Sequence, residues 1–278
     1  MNMPVLPISK PESKPSTNAR WNLMARGSAT LVAAVVLTAC GGGSGGGDGA
    51  TAPSGSTSAR VSSCGQSGGS LRIMPLGDSI TEGESGHNTY RRVLWQRLQG
   101  AGCSVDFVGT KYGVSSGYRN SPSKSPPNGD FDLDHEGYWD YQVNELLPFV
   151  ASSVAAAQPD IVLIHVGTND VLAGQSASGI ASEITSLITT LRGGKSDVYI
   201  VLAKVIPAAS STAGTAALNR QIDGIASRLS TAASPVVVVD QASGYSTADN
   251  YDGVHPAPSG EAKLGNRWAD TVLAWRTS

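Results

Sequence analysis

A serine and a histidine in this sequence stand where nucleophilic chemistry would need them. Ser79 closes the tripeptide Gly77-Asp78-Ser79, which follows an apolar run of strand length beginning at Leu71. Gly77 is able to take a positive φ, so the chain can turn there and present the hydroxyl at the start of a helical turn, close to free N–H groups. A serine hydroxyl barely ionises at neutral pH and attacks a carbonyl only beside a base. His255 is the candidate base, because Asp252 stands three residues before it in Asp252-Gly253-Val254-His255. On one turn such a carboxylate can hold the imidazole Nδ1–H while Nε2 faces the serine. Together the three residues could perform acyl transfer. Taken alone, Gly-Asp-Ser reads first as a plain turn, since all three residue types favour turns and caps.

Among the histidines only His255 combines a carboxylate three residues back with a place just after a strand's carboxyl end. His165 lies inside an apolar strand and reads as a core residue. His87 sits in the loop after Ser79 and could line a site there. His135, within Asp134-His135-Glu136-Gly137, could face a substrate or fasten a loop.

Regular elements must bring these groups together. Strand-like runs at 71–76, 104–108, 161–166, 198–206 and 236–240 alternate with helical patterns at 90–99, 141–158, 178–191, 215–231 and 259–275. Near-continuous Val/Ile/Leu strands alternating with helices predict a parallel sheet buried between helices. The expected fold is α/β: a flavodoxin-like three-layer α/β/α arrangement with a five-stranded parallel sheet, strand order 2-1-3-4-5. Parallel strands would put Gly77-Asp78-Ser79, Gly109 and Gly167-Thr168-Asn169-Asp170 on one rim, with His255 after the fifth strand. The first helix sets Val93, Leu94, Trp95 and Leu98 against a basic face of Arg91, Arg92 and Arg97. Residues 111–140 read as one long irregular loop whose aromatics, Tyr138 and Trp139 among them, could stack on sugar rings or pack the loop down. Asp130, Asp132 and Asp134 alternate like a calcium loop. The position needing glycine is His135 and the twelfth is Tyr141, so that template fails, the carboxylates read as solvated charge, and no metal is expected.

At 278 residues, 40% apolar and 15% charged, the chain suits one sizeable domain plus appendages. A net charge of −2 without a basic stripe argues against a nucleic-acid partner. Arg20 and Arg26 precede an uncharged apolar run ending in Leu37-Thr38-Ala39-Cys40, too short to span a bilayer and shaped like a secretory signal. That ending resembles a bacterial lipobox, which implies removal of residues 1–39 and lipid on Cys40, an anchor to the cell envelope; an ordinary signal cleaved nearby is the alternative. Residues 40–60 read as a Gly/Ser-rich tether and 61–278 as the catalytic domain. In an oxidising compartment Cys64 and Cys103 are expected to pair, with two buried free thiols as the alternative.

Gly77-Asp78-Ser79-Ile80-Thr81, Gly109, Gly167-Thr168-Asn169-Asp170 and Asp252-x-x-His255 resemble, in order, the four blocks of the SGNH (GDSL) hydrolase superfamily. The resemblance implies Ser79 as nucleophile, His255 as base and Asp252 as its orienter. It also implies an oxyanion hole of the Ser79 and Gly109 N–H groups and the Asn169 amide, and no cofactor. Arg72 to Gly83, Tyr90-Arg91-Arg92, Val105 to Gly109 and Asp134-His135-Glu136-Gly137 are similar to acetyl xylan esterases of carbohydrate esterase family 3. That similarity implies removal of acetyl groups from a polysaccharide such as acetylated xylan. His87, His135, Tyr138 and Trp139 are the candidate substrate contacts. The chain departs from that group at Trp139-Asp140-Tyr141, where a small residue, glycine and tryptophan would stand. A general short-chain carboxylesterase is the competing enzyme reading, and a tethered carbohydrate-binding protein with an idle triad is the reading from another class.

Overall fold

The computed structural model describes residues 69–275. The signal segment, Cys40, the tether and Cys64 lie outside the described residues. Strand β1 (Leu71–Gly77) leads into a single turn α1 (Ser79–Glu82) and then helix α2 (Thr89–Gly100). After β2 (Val105–Phe107) come β3 (Lys111–Tyr112), β4 (Asp134–Gly137) and the short helices α3 (Val143–Leu146) and α4 (Val150–Ala157). The chain continues through β5 (Ile161–His165), α5 (Thr168–Leu172), α6 (Ala177–Gly194), β6 (Tyr199–Lys204), α7 (Thr212–Leu229), β7 (Val236–Asp240) and α8 (Pro258–Trp275).

The expected five-strand core is present: β2, β1, β5, β6 and β7 lie side by side and all parallel. Strand side chains alternate between two faces. Met74, Leu76, Val162, Ile164, Ile200 and Leu202 pack with α3, α4, α6 and α7. Leu71, Ile73, Ile161, Leu163, Tyr199 and Val201 pack with α2 and α8. This gives the three layers.

Two expectations need correction. The sheet has seven strands among the described residues, not five. Because β2 stops at Phe107, the carboxyl half of β1 has an open edge, and β4 fills it through Leu76–Glu136 and Gly77–Gly137 pairing, with β3 antiparallel outside it. Part of the expected loop is therefore sheet, built from a tetrapeptide with no apolar run to announce it. The helix expected over 141–158 is broken in two at Leu147-Pro148-Phe149, since proline disfavours helical geometry in the residue before it and has no N–H to give.

The largest departure concerns Arg91. Instead of lying on an exposed basic face it is fully buried. Its Nε donates to Thr81 O at 3.0 Å, Nη1 to Leu133 O at 2.9 Å, and Nη2 to Glu82 O at 3.1 Å and Gly113 O at 2.6 Å. Burial pulls its pKa down to about 10, with Tyr90 and Glu82 acting in the opposite direction, so the group remains charged at neutral pH. Arg92 and Arg97 do face outward and pair with Asp130 and Asp270. Asp130 is thus ion-paired rather than simply solvated, and half-buried Asp132 accepts from the Phe107 and Asp134 N–H groups. Cys103 is buried and disulfide-bonded.

Replacing Arg91 leaves four carbonyls short of a donor that no other single side chain can supply. Arg91→Met is expected to cost at least about 3 kcal/mol in urea unfolding, and Arg91→Lys, with one short cation, to recover less than half of it. An Arg91→Met protein as stable as the parent would show that the carbonyls find other donors.

Candidate active site

The turn after β1 is built from within. Asp78 caps α1, its Oδ1 accepting from Ile80 N at 3.0 Å. The φ of Gly77 is not positive; what the position demands is space, because a Cβ there would meet Thr81 Oγ1 at 2.4 Å and His165 O at 2.5 Å. With no side chain at Gly77, β5 and α1 close on the strand end, and Ser79 stands 3% exposed at the carboxyl rim of the sheet.

His255 meets it from the loop before α8. His255 Nε2 lies 2.9 Å from Ser79 Oγ, and Nδ1 lies 2.6 Å from Asp252 Oδ2. Asp252 divides its oxygens: Oδ1 accepts from the N–H groups of Val254 and His255 at 2.9 and 2.7 Å, which leaves Oδ2 for the ring. Burial raises the Asp252 pKa, but those N–H groups and the imidazole outweigh it and hold the carboxyl below its ordinary range. With Nδ1–H given to a carboxylate, Nε2 is left as the acceptor for the serine proton.

Gly109 and Asn169 stand at the ends of β2 and β5. A Cβ on Gly109 would lie 2.0 Å from His135 O, so only glycine fits there. The next residue is fastened: Thr110 N and Oγ1 both donate to the fully buried Glu136 carboxylate, which Tyr138 OH also approaches at 2.7 Å. Gly167, at φ 106°, opens α5, and Asn169 Nδ2 donates to Tyr141 O at 2.9 Å, leaving its second amide hydrogen free.

The candidate substrate contacts divide. His87 lines a cleft of about 270 Å³ beside Ser79, together with Ile80, Glu84, Tyr90, Tyr251 and His255. Its ring stacks on Tyr251, centroids 3.9 Å apart and planes 9° from parallel. Tyr251 OH donates to Glu84 Oε2 at 2.6 Å. His135 does not reach the cleft: it is fully buried, Nδ1 accepts from Gly137 N at 3.0 Å, and burial with Arg91 and Lys111 nearby keeps it neutral. Of its two sequence readings the loop-fastening one holds. Tyr138 packs between Tyr141 and Phe149 on the rim, and Trp139 is 7% exposed, stacked on the His255 ring. The exposed aromatics of that segment are Tyr112 and Tyr118. Tyr251, Glu84 and Glu136 went unnoticed in sequence, although Tyr251 abuts Asp252 and Glu136 belongs to the His-Glu-Gly stretch. His165 is a core residue as expected, though its Nδ1 has no partner.

Residues 76–263 match the GDSL-like Lipase/Acylhydrolase family. The chain belongs to that family. It is an esterase, with the SGNH hydrolase fold. It is 32% identical to a carbohydrate esterase family 3 structure from Talaromyces cellulolyticus (TM-score 0.65, 74% of this chain and 98% of that one). It is 30% identical to a serine-to-alanine acetyl esterase variant solved with an acetate ion (TM-score 0.64, 74% and 98%). A "Multidomain esterase" of Ruminococcus flavefaciens is 30% identical over 223 residues, 73% of this chain. The match spans only 28% of that relative's length.

A buried acid immediately precedes Ser79. Burial raises the Asp78 pKa from 3.8 to about 7, helped by Asp170 and opposed by the Ile80 N–H. The Thr168 hydroxyl beside Asp78 also pulls that pKa down in part. Asp170, which accepts from Val143 N, is likewise raised to about 6, chiefly by burial. A carboxyl whose folded pKa exceeds its unfolded one stabilises the fold while protonated, below pH 3.8, and that contribution is lost as pH rises through about 7. Asp78→Asn keeps an acceptor for Ile80 and cannot ionise. Urea unfolding between pH 4 and pH 8 is expected to show the variant gaining on the parent as pH rises; parallel curves would mean Asp78 stays ionised throughout.

Proposed function

We propose that this protein removes acetyl groups from a polysaccharide, with acetylated xylan the first substrate to test, by a Ser-His-Asp acyl transfer. Ser79 Oγ attacks the ester carbonyl carbon as its proton passes to His255 Nε2. The resulting oxyanion is held by the Ser79 and Gly109 N–H groups and the free Asn169 amide hydrogen. The carbonyl re-forms, the bond from the carbonyl carbon to the sugar oxygen breaks, and the protonated His255 gives its proton to that leaving oxygen, which departs as the sugar hydroxyl. Water, deprotonated by the same imidazole, then releases acetate and restores Ser79. No cofactor enters these steps.

The observation that carries this reading is the hydrogen-bonded chain from Ser79 through His255 to Asp252, at 2.9 and 2.6 Å. The small acyl group is supported by the buried side chains of Ile80 and Tyr90, which close the floor of the cleft beside Ser79. The carbohydrate is supported by the similarity to family 3 carbohydrate esterases. The proposal extends to export with residues 1–39 removed, lipid on Cys40 holding the domain at the cell envelope through the 40–60 tether, and pairing of Cys64 with Cys103; the first two rest on sequence, and the disulfide state of Cys103 supports the last.

Acetate release from acetylated xylan tests it. Ser79→Ala is expected to lose activity by about 10⁴-fold or more, and Asp252→Asn, which presents an amide to Nδ1 and favours the wrong tautomer, by about 10³-fold. Activity surviving in Ser79→Ala would sink the nucleophile assignment. A parent enzyme that spares xylan but cleaves octanoyl esters would move the protein to the general carboxylesterases.

A further inference from the structure

The imidazole of His255 is held by more than its carboxylate. The Asp252 side chain is 41% exposed, so water competes for the oxygen that grips Nδ1 and screens the pair. A ring held at one nitrogen can still pivot, and each pivot carries Nε2 away from Ser79. Two aromatic planes lie against the ring. Trp139 stacks on it with centroids 4.6 Å apart and planes at 21°, and Tyr251 lies near-parallel with its centroid at 5.8 Å. Both separations fall in the range that offset-stacked rings prefer, about 4.5–7 Å.

Trp139 is itself tied down. Its backbone N–H donates to Glu82 Oε2 at 2.6 Å, and that buried carboxylate has Lys111 Nζ 3.3 Å from its other oxygen. The turn that carries it begins as Tyr138 N donates to Gly77 O at the end of the nucleophile strand and closes as Tyr141 N donates to Tyr138 O. Asp140 sits in that turn at φ 61°, a conformation aspartate tolerates better than most residues. The same turn offers Tyr141 O to Asn169 Nδ2 at 2.9 Å. One short segment therefore touches the base and an oxyanion donor together. Trp139 is 7% exposed, and its ring is turned onto His255.

We infer that Trp139 is a positioning residue: its indole face fixes the plane of the His255 ring so that Nε2 stays aimed at Ser79 Oγ, and its π electrons stabilise the imidazolium formed as the proton arrives. The inference rests on the Ser79-His255-Asp252 reading above. It makes the effect of Trp139 one on turnover and not on binding.

Hydrolysis of p-nitrophenyl acetate by the purified protein tests it. Trp139→Leu, which keeps bulk and removes the π face, is expected to lower kcat by about ten- to a hundredfold, part of the contribution of a general base, with KM within about twofold. Trp139→Phe, which keeps an aromatic face, should recover most of the kcat. In a His255→Ala background Trp139→Leu should change the residual rate by less than about twofold, because the ring it acts on is gone. A Trp139→Leu kcat within about twofold of the parent overturns the inference, as does a change confined to KM or an equal loss with and without His255. If Trp139→Leu does not fold, proton NMR of the parent decides: stacking shifts the His255 ring protons upfield, and unshifted resonances overturn it. Full activity in His255→Ala would instead sink the triad reading, whereas loss there beside an active Trp139→Leu would sink this inference alone.

Discussion

A buried guanidinium surrounded by four peptide carbonyls fixes where Ser79 can stand. Arg91 takes the carbonyls of Thr81 and Glu82 from the turn that begins with Ser79, and those of Gly113 and Leu133 from the segment outside it. Water cannot reach these oxygens, so each depends on a donor from the protein, and a planar fork on a helix supplies them all from one residue. The first turn of α1 is only four residues long and has little helical stability of its own. What holds it is the cap from Asp78 at one end, Arg91 at its carbonyls, and the tight approach of β5 and β4 around Gly77 and Gly137.

From that fixed point the site spreads along the carboxyl rim, where each group arrives on a different element and is secured by a different device. Gly109 is pressed against the His135 carbonyl, and its neighbour Thr110 is caught by a buried glutamate. Asn169 enters on α5 through the positive φ of Gly167. His255 comes on a loop whose own aspartate orders the backbone and the ring at once. The segment between β4 and α3 ties these devices together, since it extends the edge of β1, stacks on the imidazole and receives the asparagine amide.

The placing of Ser79, Asp252, His255, Gly109 and Asn169 along one rim was legible in the sequence because their neighbourhoods are local patterns: a strand ending in Gly-Asp-Ser, a carboxylate three residues before a histidine, glycine blocks after apolar runs. The roles of Arg91, His135 and Trp139 were not. Arg91 shares its stretch with Arg92 and Arg97, and nothing in helical periodicity separates the buried cation from the two exposed ones. His135 and Trp139 sit in a stretch without periodicity, where one side chain turned inward to hold a loop and the other onto a histidine more than a hundred residues along the chain.

The sequence by itself determined the five parallel core strands, the long helices between them and the residue types brought to the rim, because burial on a repeating backbone imposes a period that can be read without the fold. Only the tertiary structure decided which polar side chains are bolts and which face the cleft. That assignment depends on which unpaired backbone groups and open strand edges are left once the layers have packed. The two strands added to β1, the four carbonyls around Arg91 and the ring stacked on His255 all answer needs created by that packing, and no local pattern encodes them.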